Sequence, residues 1–138
     1  MTRVRCFIFA CVLSLAAGCD NNTTTPTPID PTIFTEVFSG TINQNGAASH
    51  PFVSQSSGAV VATLTSVTPD ATQVVGLSLG TWTGSACQIV IDNARATQSS
   101  QLQGAVGLAG LLCARVYDST GTIASGSPVT YELTVRHP

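Results

Sequence analysis

Gly76-Leu77-Ser78-Leu79-Gly80 places a serine in the G-x-S-x-G pattern of a nucleophile elbow. Such an elbow lifts the serine hydroxyl out of a sharp strand-to-helix turn, where a histidine and a carboxylate activate it. On paper, His50 or His137 with Asp92 or Asp118 would complete the set. The surrounding residues point elsewhere. The motif lies in an alternating apolar run, and Thr81-Trp82-Thr83-Gly84 follows where a helix should begin. This is the pattern of a strand with Leu77 and Leu79 facing a core and Ser78 facing out. His137 is next to last, and terminal tails are poor places for fixed catalytic geometry. No residue is assigned a catalytic role.

The other chemistry-bearing residues are dispersed. Asp30, Glu36, Asp70, Asp92, Asp118 and Glu132 are scattered, and no D-x-D-x-D loop gathers the six to eight oxygens that calcium takes. They read as solvated carboxylates. A single calcium ion held by loop carbonyls with Asp70 or Asp118 stays open, but no metal or cofactor site is assigned. Zinc would have only His50 and His137 to add to two cysteines. The glycine-spaced run from Gly104 to Gly110 lacks the lysine and helix of a phosphate loop and reads as a bent strand and turn. Trp82, Tyr117 and Tyr131 have two readings, a sugar-stacking platform or packing in the core and at strand corners. Tyr117, beside Asp118 at a strand end, is the one expected to be partly exposed.

The elements that must hold these residues are short strands. The chain has 138 residues, 9% of them charged and 6% aromatic, and is rich in Thr, Ser, Gly and Val, which suits one β-rich domain. Runs at 35–42, 49–55, 59–67, 74–82, 87–92, 101–106, 111–118 and 129–136 are punctuated by Gly, Asn-Gly and Ser-Gly turns. No stretch keeps a helical apolar period with caps. Eight such strands predict an all-β antiparallel sandwich or jelly roll over residues 33–138. The net charge of −2 argues against a nucleic-acid partner.

The first residues read as a targeting segment. Arg3 and Arg5 precede an apolar run, residues 6–17, too short to span a bilayer. Ala16-Ala17-Gly18 then meets Cys19. This resembles a bacterial lipoprotein signal peptide with its lipobox. The resemblance implies cleavage after residue 18 and acylation of Cys19, with the protein anchored to a membrane of the bacterial envelope and facing the periplasm or exterior. Several acyl chains on one cysteine hold stably where a single chain gives only marginal binding. Residues 19–32, with three prolines and no apolar periodicity, are expected to form an extended tether. Cys6 and Cys11 leave with the signal. Cys87 and Cys113 then remain in an oxidising compartment, and a disulfide between them is expected, contributing about 3.5 kcal/mol through loop entropy. Cys87 shares strand parity with Ile89 and Ile91, which look inward, whereas Cys113 shares it with Arg115 and Tyr117. The bridge is therefore expected at a strand end or edge.

A second resemblance covers about residues 36–136. Phe38-Ser39-Gly40-Thr41-Ile42, the Leu111 to Asp118 run (LLCARVYD) and the closing Tyr131-Glu132-Leu133-Thr134-Val135 are similar in order and spacing to the bacterial pre-peptidase C-terminal domain. That family implies a jelly-roll sandwich, an accessory module beside secreted peptidases, with some members binding collagen or polysaccharide. The stretch Gln73 to Gly80 lacks the acidic strand common in that family, and the domain is expected to stand on its lipid anchor without a preceding peptidase. The expected function is a non-catalytic envelope binding module of unassigned ligand, with an envelope protein or a polysaccharide as the candidate partners. A passive structural lipoprotein is the alternative, and a small hydrolase using Ser78 the third reading.

Overall fold

The computed structural model describes residues 30–138. The expected signal segment, Cys19 and the expected tether up to residue 29 lie outside the described residues. The rest is all-β, with eight strands: β1 (Phe34–Ile42), β2 (Ala47–Ser54), β3 (Gly58–Thr68), β4 (Val75–Trp82), β5 (Cys87–Ala96), β6 (Gln101–Val106), β7 (Gly110–Tyr117) and β8 (Val129–His137). All eight coincide with the runs read from the sequence. The largest boundary difference is in β5, which continues past Asp92 through Asn93 to Ala96. Asn93 and Ala96 still pair with β4 across a register shift, and polar side chains are tolerated because β5 is an edge strand.

Two antiparallel sheets face each other, ordered β1-β8-β3-β6 and β2-β7-β4-β5. The pairings nest: β1 with β8, β2 with β7, β3 with β6 and β4 with β5. The chain is thus one long hairpin rolled into two layers, which is a jelly roll. Alternation on β8 shows the logic. Val129, Tyr131, Leu133, Val135 and His137 turn inward, while Thr130, Glu132, Thr134 and Arg136 turn outward. On β3, Val60, Ala62 and Leu64 face the core. A register shift between Leu64 and Ser66 then returns Val67 to the same side.

The two ends of the sandwich differ in what they carry. At the near end the chain comes in at Asp30, and Pro138 lies there too, its carbonyl accepting the Gln55 N–H. Connections 55–57, 83–86 and 107–109 close this end. The far end holds connections 43–46, 69–74, 97–100 and 118–128. The longest of these inserts Ile123 into the core.

Candidate functional site

Ser78 points to the outer face of the second sheet, as its parity requires, but it is fully buried rather than solvent-facing. The cause is Gly76. Tyr117 is the register partner of Gly76 and folds its ring over it; a Cβ there would come within 2.1 Å of the ring. Ser78 Oγ donates to Asp92 Oδ1 at 2.8 Å, and the Tyr117 hydroxyl donates to both Asp92 oxygens at 2.9 Å. Partial burial, and then the Asp92 carboxylate as acceptor, push the Tyr117 phenol up from its ordinary value. Arg115 stacks its guanidinium 5.0 Å from the Tyr117 ring centroid.

Both histidines face the opposite way, into the layer between the sheets. His137 is not part of a mobile tail. It closes β8, is 2% exposed, and meets Glu36 Oε1 at 3.0 Å. The paired ladder with Phe34 of β1 and the rings of Phe34 and Phe52 hold it. His50 stacks on Phe38 with centroids 5.0 Å apart, and its Nε2 lies 2.6 Å from the Tyr131 hydroxyl. Burial lowers the His50 pKa, and the neutral ring shares a hydrogen bond with the Tyr131 hydroxyl. Burial likewise pushes the Tyr131 phenol up to about 12. Ser78 therefore has a carboxylate beside it on the outer face, while the imidazoles lie on the other side of the sheet.

The three aromatics do not share a surface. Tyr131 is inside, under Gly40 of the neighbouring strand. Tyr117 and Trp82 both lie on the outer face of the second sheet but at opposite ends of β4, about 20 Å apart along the strand. Trp82 pairs with Cys87. The Cys87–Cys113 disulfide is formed, with an S–S distance of 2.06 Å and a Cα–Cα distance of 5.7 Å. Its apparent parity conflict is removed by a bulge. Leu79 pairs with Ile91 but Gly80 with Ile89, so Val90 is the extra residue. Ile89 and Cys87 thereby switch to the outer face. Gly80 lets β5 curl in closely, since a Cβ there would lie 2.0 Å from the Gln88 carbonyl oxygen. The bridge joins β7, one strand in from the sheet edge, to the start of the edge strand β5.

The outer face of the first sheet holds a feature that sequence inspection missed. A groove of about 390 Å³ is lined by Ser39, Thr41, Ser66, Thr68 and Thr130, with Glu132 in it. Register brings these residues together: Thr41, Thr130 and Thr68 form one row across three strands, and Ser39, Glu132 and Ser66 the next. Thr65 Oγ1 donates to Glu132 Oε1 at 3.0 Å, and the Thr68 and Thr130 hydroxyls bond to each other. Among the described residues no cationic side chain lines the groove. Alternation alone put Thr130, Glu132 and Thr134 on one face. Only the β1–β8–β3 register supplied their neighbours.

The remaining acids stand apart. Asp70 accepts the Thr72 N–H and hydroxyl, which hold its carboxyl below the usual range. Asp118 Oδ2 takes the Asn45 N–H at 2.9 Å, while Asp118 Oδ1 and Ser119 Oγ are buried without a partner. Among the described residues no three His, Cys, Asp or Glu side chains group as metal ligands. Nor is any helix among them long and apolar enough to cross a membrane. No family model matches the sequence, and no curated protein gives a significant match to it.

Proposed function

We propose that the protein is a lipid-anchored, non-catalytic binding module of the bacterial cell envelope, held by an acylated Cys19, whose ligand is a polysaccharide. The groove around Glu132 carries this reading. Five hydroxyls and one carboxylate line a concave surface at the size of small-ligand sites. Hydroxyls both donate and accept, and an ionised carboxylate accepts from two sugar hydroxyls at once. With no cation in the lining, the chemistry selects neutral polyhydroxyl ligands over anionic ones. The absence of an imidazole beside Ser78, whose hydroxyl is committed to Asp92, supports a role without catalysis.

Intact-mass analysis of the protein from its own envelope tests the anchor: the mass is expected to start at Cys19 and to include acyl chains. Calorimetric titration with neutral envelope polysaccharides tests the groove. Glu132→Ala is expected to weaken binding about tenfold, the worth of one charge-assisted hydrogen bond. If wild type binds none of them while its deletion still weakens the envelope, the protein is a passive structural lipoprotein instead.

A further inference from the structure

The near end of the sandwich carries most of the exposed large apolar side chains. Leu108, at the tip of the β6–β7 turn, is 81% exposed, Val90 at the β5 bulge 70%, Leu111 53% and Val53 51%. Ile33 and Phe34, where the chain comes in, are exposed as well. Val53 and Leu111 are register partners on the outer face of the second sheet, close to Trp82 and the disulfide. Beside them an apolar cavity of about 180 Å³ opens between the sheets, lined by Phe52, Val60, Val90, Val106 and Leu112 among others. Single exposed aliphatics are ordinary in a soluble protein, but several gathered at one end mark an interaction surface.

We infer that this near end docks onto the lipid surface to which the protein is anchored. This rests on the anchor proposed above. Three observations converge. The polypeptide that leads to Cys19 leaves the domain at Asp30, at this end. Residues 19–32 span at most about 50 Å when fully extended, so a membrane-held Cys19 keeps this end within reach of the bilayer. Charge is distributed to match. Of the six acids among the described residues, only Asp30 and Glu36 lie at the near end; Asp70 and Asp118 lie on far-end connections and Asp92 and Glu132 midway along their strands, off an anionic lipid surface. Leu108, Val90 and Leu111 then enter the headgroup and acyl boundary, as the apolar face of an interfacial element does. The Glu132 groove, on the outer face of the first sheet, is left clear of the membrane.

Trp82 is the chain's one tryptophan and sits at this end, so it reports docking directly. The full chain with its native N-terminal modification is reconstituted on phosphatidylethanolamine/phosphatidylglycerol vesicles with ordinary or dibrominated acyl chains. Vesicle flotation reads the anchor, and quenching of Trp82 by bromine reads docking. Wild type is expected to float and to be quenched. Leu108→Asp and Val90→Asp, both at solvent-exposed positions outside the core, are expected to float yet lower the docked-to-undocked ratio about tenfold. Thr122→Asp, on the far-end loop, leaves quenching unchanged. Flotation without quenching, or quenching that survives both near-end variants, overturns the docking and leaves the anchor standing. Failure to float removes the anchor and the docking together. A Trp82 shift that follows protein concentration and ignores lipid assigns the surface to a second copy and also overturns it.

Discussion

Leu108 and Ile123 are aliphatic residues carried by connections on either side of β7, and they meet opposite fates. Ile123, in the long 118–128 connection, folds back over the far end and is 1% exposed. Leu108, in the short 107–109 turn, stands in solvent at the near end. The far end is therefore sealed by its own chain, with Asp118 and Asn45 tying the sealing loop to the β1–β2 turn. The near end has only tight turns, too short to cover the apolar side chains around it. A covalent link between β5 and β7 stands there instead. The contrast separates a part that stabilises the domain from a part left free to meet something else.

Removing the covalent link is the largest test of that contrast. A Cys87→Ser/Cys113→Ser protein is expected to lose about 3.5 kcal/mol of stability by urea titration, from the regained entropy of the opened loop. A loss under about 1 kcal/mol would mean that the near end holds itself without help. Next come the two aliphatics. Ile123→Ala is expected to cost about 3 kcal/mol by leaving a cavity under the far-end loop, whereas Leu108→Ser stays within about 0.5 kcal/mol. Equal costs would erase the distinction between seal and exposed surface. The smallest effect belongs to His50. Its pKa is lowered in the folded protein, so its contribution is fully present above about 6.5 and is lost as pH falls below that toward the folded value. His50→Gln is expected to flatten this acid limb in urea midpoints measured between pH 8 and 5. An unchanged limb would place the titration elsewhere.

Strand positions were legible because period-two alternation and glycine punctuation are local signals. Residues 129–136 alone announce which side chains of β8 go inward. The disulfide was legible from cysteine number together with an expected oxidising compartment, but its placement was not. The parity conflict between Cys87 and Cys113 reflects a bulge at Val90 that no short window of sequence displays. Ser78 was given the correct face and the wrong exposure, because its burial depends on Tyr117 reaching over Gly76 from a strand far away in sequence. The Glu132 groove was hidden for the same reason. Its hydroxyls come from β1, β3 and β8, and only register sets them side by side. The expectation that the C-terminal histidine lacks fixed geometry failed because β8 pairs on both sides along most of its length, and the ladder to Phe34 holds its last residue.

The nested strand pairing also dictates an order of assembly. The innermost pair, β4 and β5, is joined by residues 83–86 alone, so it closes at low entropic cost. The outermost pair joins Phe34 to His137 and cannot begin until the last strand has been delivered. Contacts this distant along the chain slow folding, and a partly delivered chain exposes unpaired edges meanwhile. Oxidation of Cys87 and Cys113 shortens the effective path between β4 and β7, the pair that carries the second sheet outward from its first hairpin. The Cys87–Cys113 bridge thus bears on how readily the rolled hairpin closes, in addition to how firmly it stays closed.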